Sequence, residues 1–212
     1  MEPGPVDGGW RVRGLRGVRE TAFRLTKQGG RVVVEARSES SMAALVFELE
    51  PAGVQYSKIS WQWRIANHLR SADIHTREGD DYPARLYVIF DDDPKQLSLL
   101  ARIRLEVASA IHGSSLPSRA LCYVWDRDAA METSVPSAFT AGVQMIVVRS
   151  GGVAPAEWTA QTRDFRADYR RAFGAEAPPV SGVAIASDSD NTRESALAWF
   201  GDVILSGRVE PR

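Results

Sequence analysis

The chain has 212 residues, 44% of them hydrophobic, which is enough for a substantial buried core and argues against intrinsic disorder. Its 26 lysines and arginines face 27 aspartates and glutamates for a formal net charge of -1, so the global balance points to neither nucleic acid nor an anionic membrane surface as partner. Apolar runs such as Ala43 to Phe47 fall far short of the roughly 18 residues that cross a bilayer, so no membrane insertion is expected.

The first residues, Met1 to Gly9, have neither the basic nor the apolar region of a secretory leader. The expectation is a cytoplasmic protein, or a periplasmic or secreted one whose signal has been removed. Period-two alternation then predicts strands over residues 31–36, 43–49, 58–65 and 84–90, bounded by Gly, Ser or Pro. Apolar residues at intervals of three and four (Leu97, Leu100, Ile103, Val107, Ile111) predict an amphipathic helix over 94–111. Further strands follow over 120–125 and 144–149. A second helix is predicted over 162–173, with Thr162 as its cap, Phe165, Tyr169 and Phe173 on one face and Gly174 as its stop; its arginines read as a solvated face. The last strands cover 180–187 and 196–206, the latter with Gly201 as a bulge or break. Nine or ten strands with one or two peripheral helices and no linker make the expected fold all-β, a β-sandwich in one domain spanning 1–212.

Alternation also says which side chains share a face. Trp61 and Trp63 point one way with Ile65 and read as core. Arg85, Tyr87 and Ile89 oppose the apolar set Ala84, Leu86, Val88 and Phe90, while Leu121, Tyr123 and Trp125 share a face of their own. If the faces carrying Arg85 and Tyr87 and those carrying Tyr123 and Trp125 coincide on an open sheet surface, they form an aromatic platform beside a guanidinium, with Asp80 at its rim. Aromatic rings stack on sugar C–H faces and planar polar groups grip hydroxyls, so such a surface suits a saccharide. The alternative is that Tyr123 and Trp125 are core.

Asp188, Asp190 and Asn191 place three oxygen-bearing side chains at spacings that suit calcium, although the glycine and distal glutamate of an EF-hand loop are absent. Turn-forming Asp and Asn have backbone reasons of their own to occur there. Asp80 and Asp81 precede a strand and are candidate acid and base for glycan chemistry, but sequence spacing cannot establish the separation across a cleft that such a pair requires. His68, His75 and His112 lack zinc-ligand spacing, no G-x-S-x-G elbow occurs, and Cys122 sits in an apolar run as a small buried hydrophobe.

The stretches Trp61 to Arg64, Gly79 to Phe90, Ala120 to Trp125, Gly182 to Thr192 and Ala198 to Asp202 together resemble the bacterial family of unknown function DUF3047 over nearly the whole chain. That resemblance implies no assigned activity; members commonly carry a signal peptide, which implies an extracytoplasmic origin. The closing strands are also similar to galactose-binding-like jelly rolls, which include many carbohydrate-binding modules. In those a structural calcium often ties strand ends together, and the resemblance adds Asp202 to Asp188, Asp190 and Asn191 as its candidate ligands.

The reading is therefore a non-catalytic binding module for a polysaccharide or other glycan, with Asp80, Arg85, Tyr87, Tyr123 and Trp125 as ligand contacts, no catalytic residue, and calcium as a structural ion. The alternatives are a glycan hydrolase or lyase using Asp80 or Asp81, and a module that binds a protein partner in assembly.

Overall fold

The structure, a computed structural model, describes residues 8–49, 56–90, 119–151 and 157–207. Alternating apolar residues there form twelve strands: β1 (Trp10–Gly14), β2 (Ala22–Gln28), β3 (Arg31–Glu39), β4 (Met42–Glu48), β5 (Lys58–Ile65), β6 (Arg85–Phe90), β7 (Arg119–Asp126), β8 (Ser134–Pro136), β9 (Val143–Ser150), β10 (Thr159–Asp164), β11 (Val180–Asp188) and β12 (Ser195–Ser206). Helix α1 (Phe165–Phe173) is the single helix among the described residues. The helix expected over 94–111 lies outside them.

Seven strands form one sheet in the order β1-β4-β11-β6-β7-β9-β8, and five form the other in the order β10-β5-β12-β3-β2. Neighbours are antiparallel except β7 and β9, which run parallel. The sheets pack face to face as the expected sandwich: Trp61 of β5 stacks on Tyr123 of β7 with ring centroids 5.3 Å apart, and Trp63 meets Trp125 at 6.1 Å. Leu86, Val88 and Phe90 are fully buried in the same core. Burying side chains of this size contributes about 1.5–3 kcal/mol each, and the aromatic pairs add to that through their ring geometry.

Two local expectations change. The polar stretch 159–164 is an edge strand, so α1 begins later than Thr162; Asp164 is its cap, accepting the Ala167 N–H at 2.9 Å, and Gly174 ends it in the left-handed conformation (φ 68). Arg163, on β10, grips the buried carboxylate of Asp168 on the helix and also Glu132, so it ties the helix to the sheets, while Arg171 pairs with Asp168 along the helix itself and stays largely exposed. Gly201 does sit in a bulge: the register of β12 on β5 shifts between Phe200 and Val203, and a Cβ there would stand 3.3 Å from Gln62 Cβ.

Candidate functional site: a groove on the outer face of the larger sheet

Register places side chains in rows across the outer face of the seven-stranded sheet. One row runs Val46, Ala184, Tyr87, Cys122 and Met145, and the next runs Ala44, Ala186, Arg85 and Val124. Small alanines on β4 and β11 beside the larger Tyr87 leave a groove that encloses about 430 Å³. Leu15, Arg16 and Val18 line one flank, and Arg77, Ser137, Phe139 and Thr140 line another. Asp80, Arg85, Asp188, Asp190 and Asn191 gather within it, and Tyr87 lies half-buried on its floor.

The charged cluster follows from strand pairing. β11 runs antiparallel to β6 with Ala186 opposite Arg85, so the end of β11 meets the chain that leads into β6. Asp188 continues the pairing, donating its N–H to the Tyr82 carbonyl at 3.1 Å while its Oδ1 accepts the Tyr82 N–H at 2.8 Å. The same Oδ1 accepts Arg85 Nε at 2.9 Å, and Arg85 Nη1 reaches Asp80 Oδ1 at 3.1 Å. Arg85 also lies over the Tyr82 ring, 4.5 Å from its centroid. Arg85, Asp80 and Asp188 are all buried. Burial works against charge on Arg85, but Asp188 leads the neighbours that hold its pKa well above the usual value. Burial pushes the Asp188 carboxyl up to about 8, opposed by Arg85 and reinforced by Asp81 and Asp80.

Asp81 has different hydrogen-bond partners. Its Oδ2 accepts the Thr192 N–H at 2.6 Å and the Thr192 hydroxyl at 2.7 Å, and its Oδ1 accepts the Asn191 amide at 3.1 Å. It clamps the turn after β11 and is fully buried. Both oxygens of this candidate acid or base already accept hydrogen bonds from the turn.

Asp81, Asp188 and Asp190 each bring one carboxylate oxygen within 4.8 Å of the others, an arrangement able to hold a hard cation. Asp190 Oδ1 is buried without a hydrogen-bond donor, and burial, then Asp81, raises its carboxyl above the ordinary range. Of the sequence candidates, Asp188 and Asp190 stand in this group and Asn191 stands beside it through Asp81. Asp202 is the exception, because it lies exposed in the bulge of β12 in the other sheet and is not among the converging carboxylates.

The expected aromatic platform is also corrected. Leu86 pairs with Tyr123 and Tyr87 with Cys122, so Tyr123 and Trp125 point into the core, away from Arg85 and Tyr87. The Tyr123 hydroxyl donates to Asp168 at 2.8 Å, and the Trp125 indole donates to the Gly151 carbonyl at 3.0 Å. Both are buried anchors and neither lines the groove. Asp80, Arg85 and Tyr87 do line it. Sequence reading missed Arg77, Phe139 and the alanines of the floor, Ala44 and Ala184, which carry no local signal of a groove.

Residues 8–204 match the family described as "Protein of unknown function (DUF3047)". The chain belongs to the DUF3047 family. No curated protein matches its sequence at a significant level. Among solved structures, this DUF3047 chain is similar to one titled "Cellulose induced protein, Cip1", at 11% identity and a TM-score of 0.40 over 96% of this chain and 93% of that one. A likeness that distant says nothing about ligand or activity.

Proposed function

We propose that the protein is a glycan-binding module whose ligand lies in the groove on the outer face of the seven-stranded sheet. The observation that carries this reading is the groove itself, lined by the half-buried residue Tyr87 together with polar groups of Asp80, Arg85, Asp190 and Asn191. A ring that stacks on a sugar face, flanked by fixed polar groups that meet hydroxyls, is how an aqueous saccharide is distinguished from water. Arg85 acts here as a scaffold for Asp80 and Asp188, since its own donors are turned toward them.

Calcium is proposed as a structural ion at Asp81, Asp188 and Asp190. Asp80 and Asp188 already pair with the Arg85 guanidinium, and the donor-less Asp190 oxygen beside Asp81 and Asp188 is suited to a cation. The ion would bridge the segment before β6 to the turn after β11 and so fix one end of the groove.

The test is retention of the full chain by a polysaccharide panel, with calcium and with chelator, comparing wild type with Tyr87→Ala after circular dichroism has established that both are folded. Saturable binding that Tyr87→Ala loses supports the reading. Absence of binding to every glycan overturns it and shifts the groove to a protein partner.

A further inference from the structure

The rim formed by residues 137–142 is built to present donors. Ser137 Oγ accepts the Phe139 N–H at 3.2 Å, and Thr140 Oγ1 accepts the Gly142 N–H at 3.1 Å, so in both cases a lone pair is used by the backbone and the hydroxyl proton remains for an outside acceptor. The loop is closed on itself by Ser137 N–H to Val143 O at 2.8 Å and Thr140 N–H to Ser137 O at 3.2 Å. Arg77 reaches it from the loop that precedes β6. Its Nε donates to the Ala138 carbonyl at 2.9 Å, and its guanidinium carbon stands 5.4 Å from the centroid of the Phe139 ring.

Those two contacts fix the plane of the Arg77 guanidinium and, among the described residues, leave its terminal nitrogens without an acceptor. The residue is exposed. A guanidinium held at Nε and on an aromatic face offers its remaining fork to a two-oxygen anion, with little rotamer freedom left to lose. Arg85, by contrast, is closed on Asp80 and Asp188, so of these two groove cations Arg77 is the one with donors to spare. The carboxylates of Asp80, Asp188 and Asp190 would repel an anion brought to their part of the groove, which gives the ligand a direction.

We infer that the groove takes an acidic polysaccharide, whose carboxylate or sulfate group is received by Arg77 with the Ser137 and Thr140 hydroxyls. This rests on the glycan-binding reading and names the substrate class for it. Carboxylated and sulfated chains share the recognition chemistry.

The experiment is affinity measurement of the full chain on polygalacturonate, on dextran sulfate and on neutral xylan, at low and raised salt. It includes Arg77→Ala, Arg77→Lys and, as a control for loose attraction to polyanions, Arg31→Ala, whose side chain contacts Gln62 of the other sheet. The expected result is that one or both acidic chains bind more tightly than xylan, and that Arg77→Ala loses about tenfold or more in affinity at unchanged melting temperature. Arg77→Lys should keep part of the affinity and Arg31→Ala all of it. Equal binding of xylan and the acidic chains, or full binding by Arg77→Ala, would overturn the acidic-ligand inference while leaving a glycan module standing. An equal loss on Arg31→Ala would reduce the binding to unspecific charge and overturn it as well. Absence of binding to all three chains overturns the acidic-ligand inference, whereas the glycan-binding reading falls only if the wider polysaccharide panel is empty as well.

Discussion

Arg85 Nε donates to Asp188 Oδ1 at 2.9 Å, and both residues are only 4% exposed. The pair therefore lies beneath the groove as part of its construction. Taking one partner from a buried ion pair strands the other charge, which costs about 3–5 kcal/mol. Arg85→Ala is expected to lower unfolding free energy by that order in urea titration, and a loss under about 1 kcal/mol would return Arg85 to the status of a ligand-seeking cation.

Tyr123 makes the complementary case. Its hydroxyl is the buried donor to Asp168, which Arg163 also grips at 2.9 Å. Tyr123→Phe should cost about 1–3 kcal/mol in stability, because an acceptor is left short of a partner, with no effect on glycan retention. A retention defect in the folded variant would mean that the inner face of β7 reaches the ligand.

Calcium should raise the melting temperature in proportion to the logarithm of its concentration once the site saturates. Asp190→Asn, which removes one converging carboxylate but leaves the Asp81 and Asp188 clamps in place, should abolish that shift, while Asp202→Asn should keep it. Differential scanning calorimetry decides; an undiminished shift in Asp190→Asn would exclude this cluster as the site.

Burial pushes the Cys122 thiol up to about 12, and the residue is fully buried. Thiolate is the reactive form, so iodoacetamide at mildly alkaline pH should leave the native protein unmodified and label it fully in denaturant. Mass spectrometry reads the result directly, and rapid labelling of folded protein would contradict the packing around β7.

Glu194 sets an acid limit of its own. Burial acts to raise its carboxyl, but the backbone N–H groups of Arg70 and Ser71, both at 2.9 Å, hold it below the ordinary range. A carboxyl whose pKa is lower folded than unfolded contributes stability above the unfolded value, near about 4.3, and loses it as pH falls through the folded value. Glu194→Gln should flatten the stability profile in that acid window, measured as urea midpoints against pH. An unchanged acid slope would show that the Arg70 and Ser71 contacts carry no proton linkage.

The sandwich was legible because most strands keep an apolar residue at every second position, as Leu86, Val88 and Phe90 do. β10 was not, because Thr159 to Asp164 is polar on both faces and pairs with β5 at a sheet edge. The platform failed for a different reason. In β7 both alternating sets are apolar, Ala120, Cys122 and Val124 against Leu121, Tyr123 and Trp125, so periodicity defines two faces without saying which is inside. What decides is the register with β6, a pairing that no local pattern encodes. Asp80 and Asp188 were each visible as turn residues. Their meeting depends on the antiparallel contact of β6 and β11 across a long stretch of chain.

The five-stranded sheet has its last strand in chain order at its centre, with β3 on one side and β5 on the other. During synthesis the β2–β3 hairpin and the β5–β10 pair can exist only as separate fragments, each with an open edge, until β12 has left the ribosome and joins them. A chain lacking β12 would therefore be left with two half-sheets, each with an unpaired edge facing the gap.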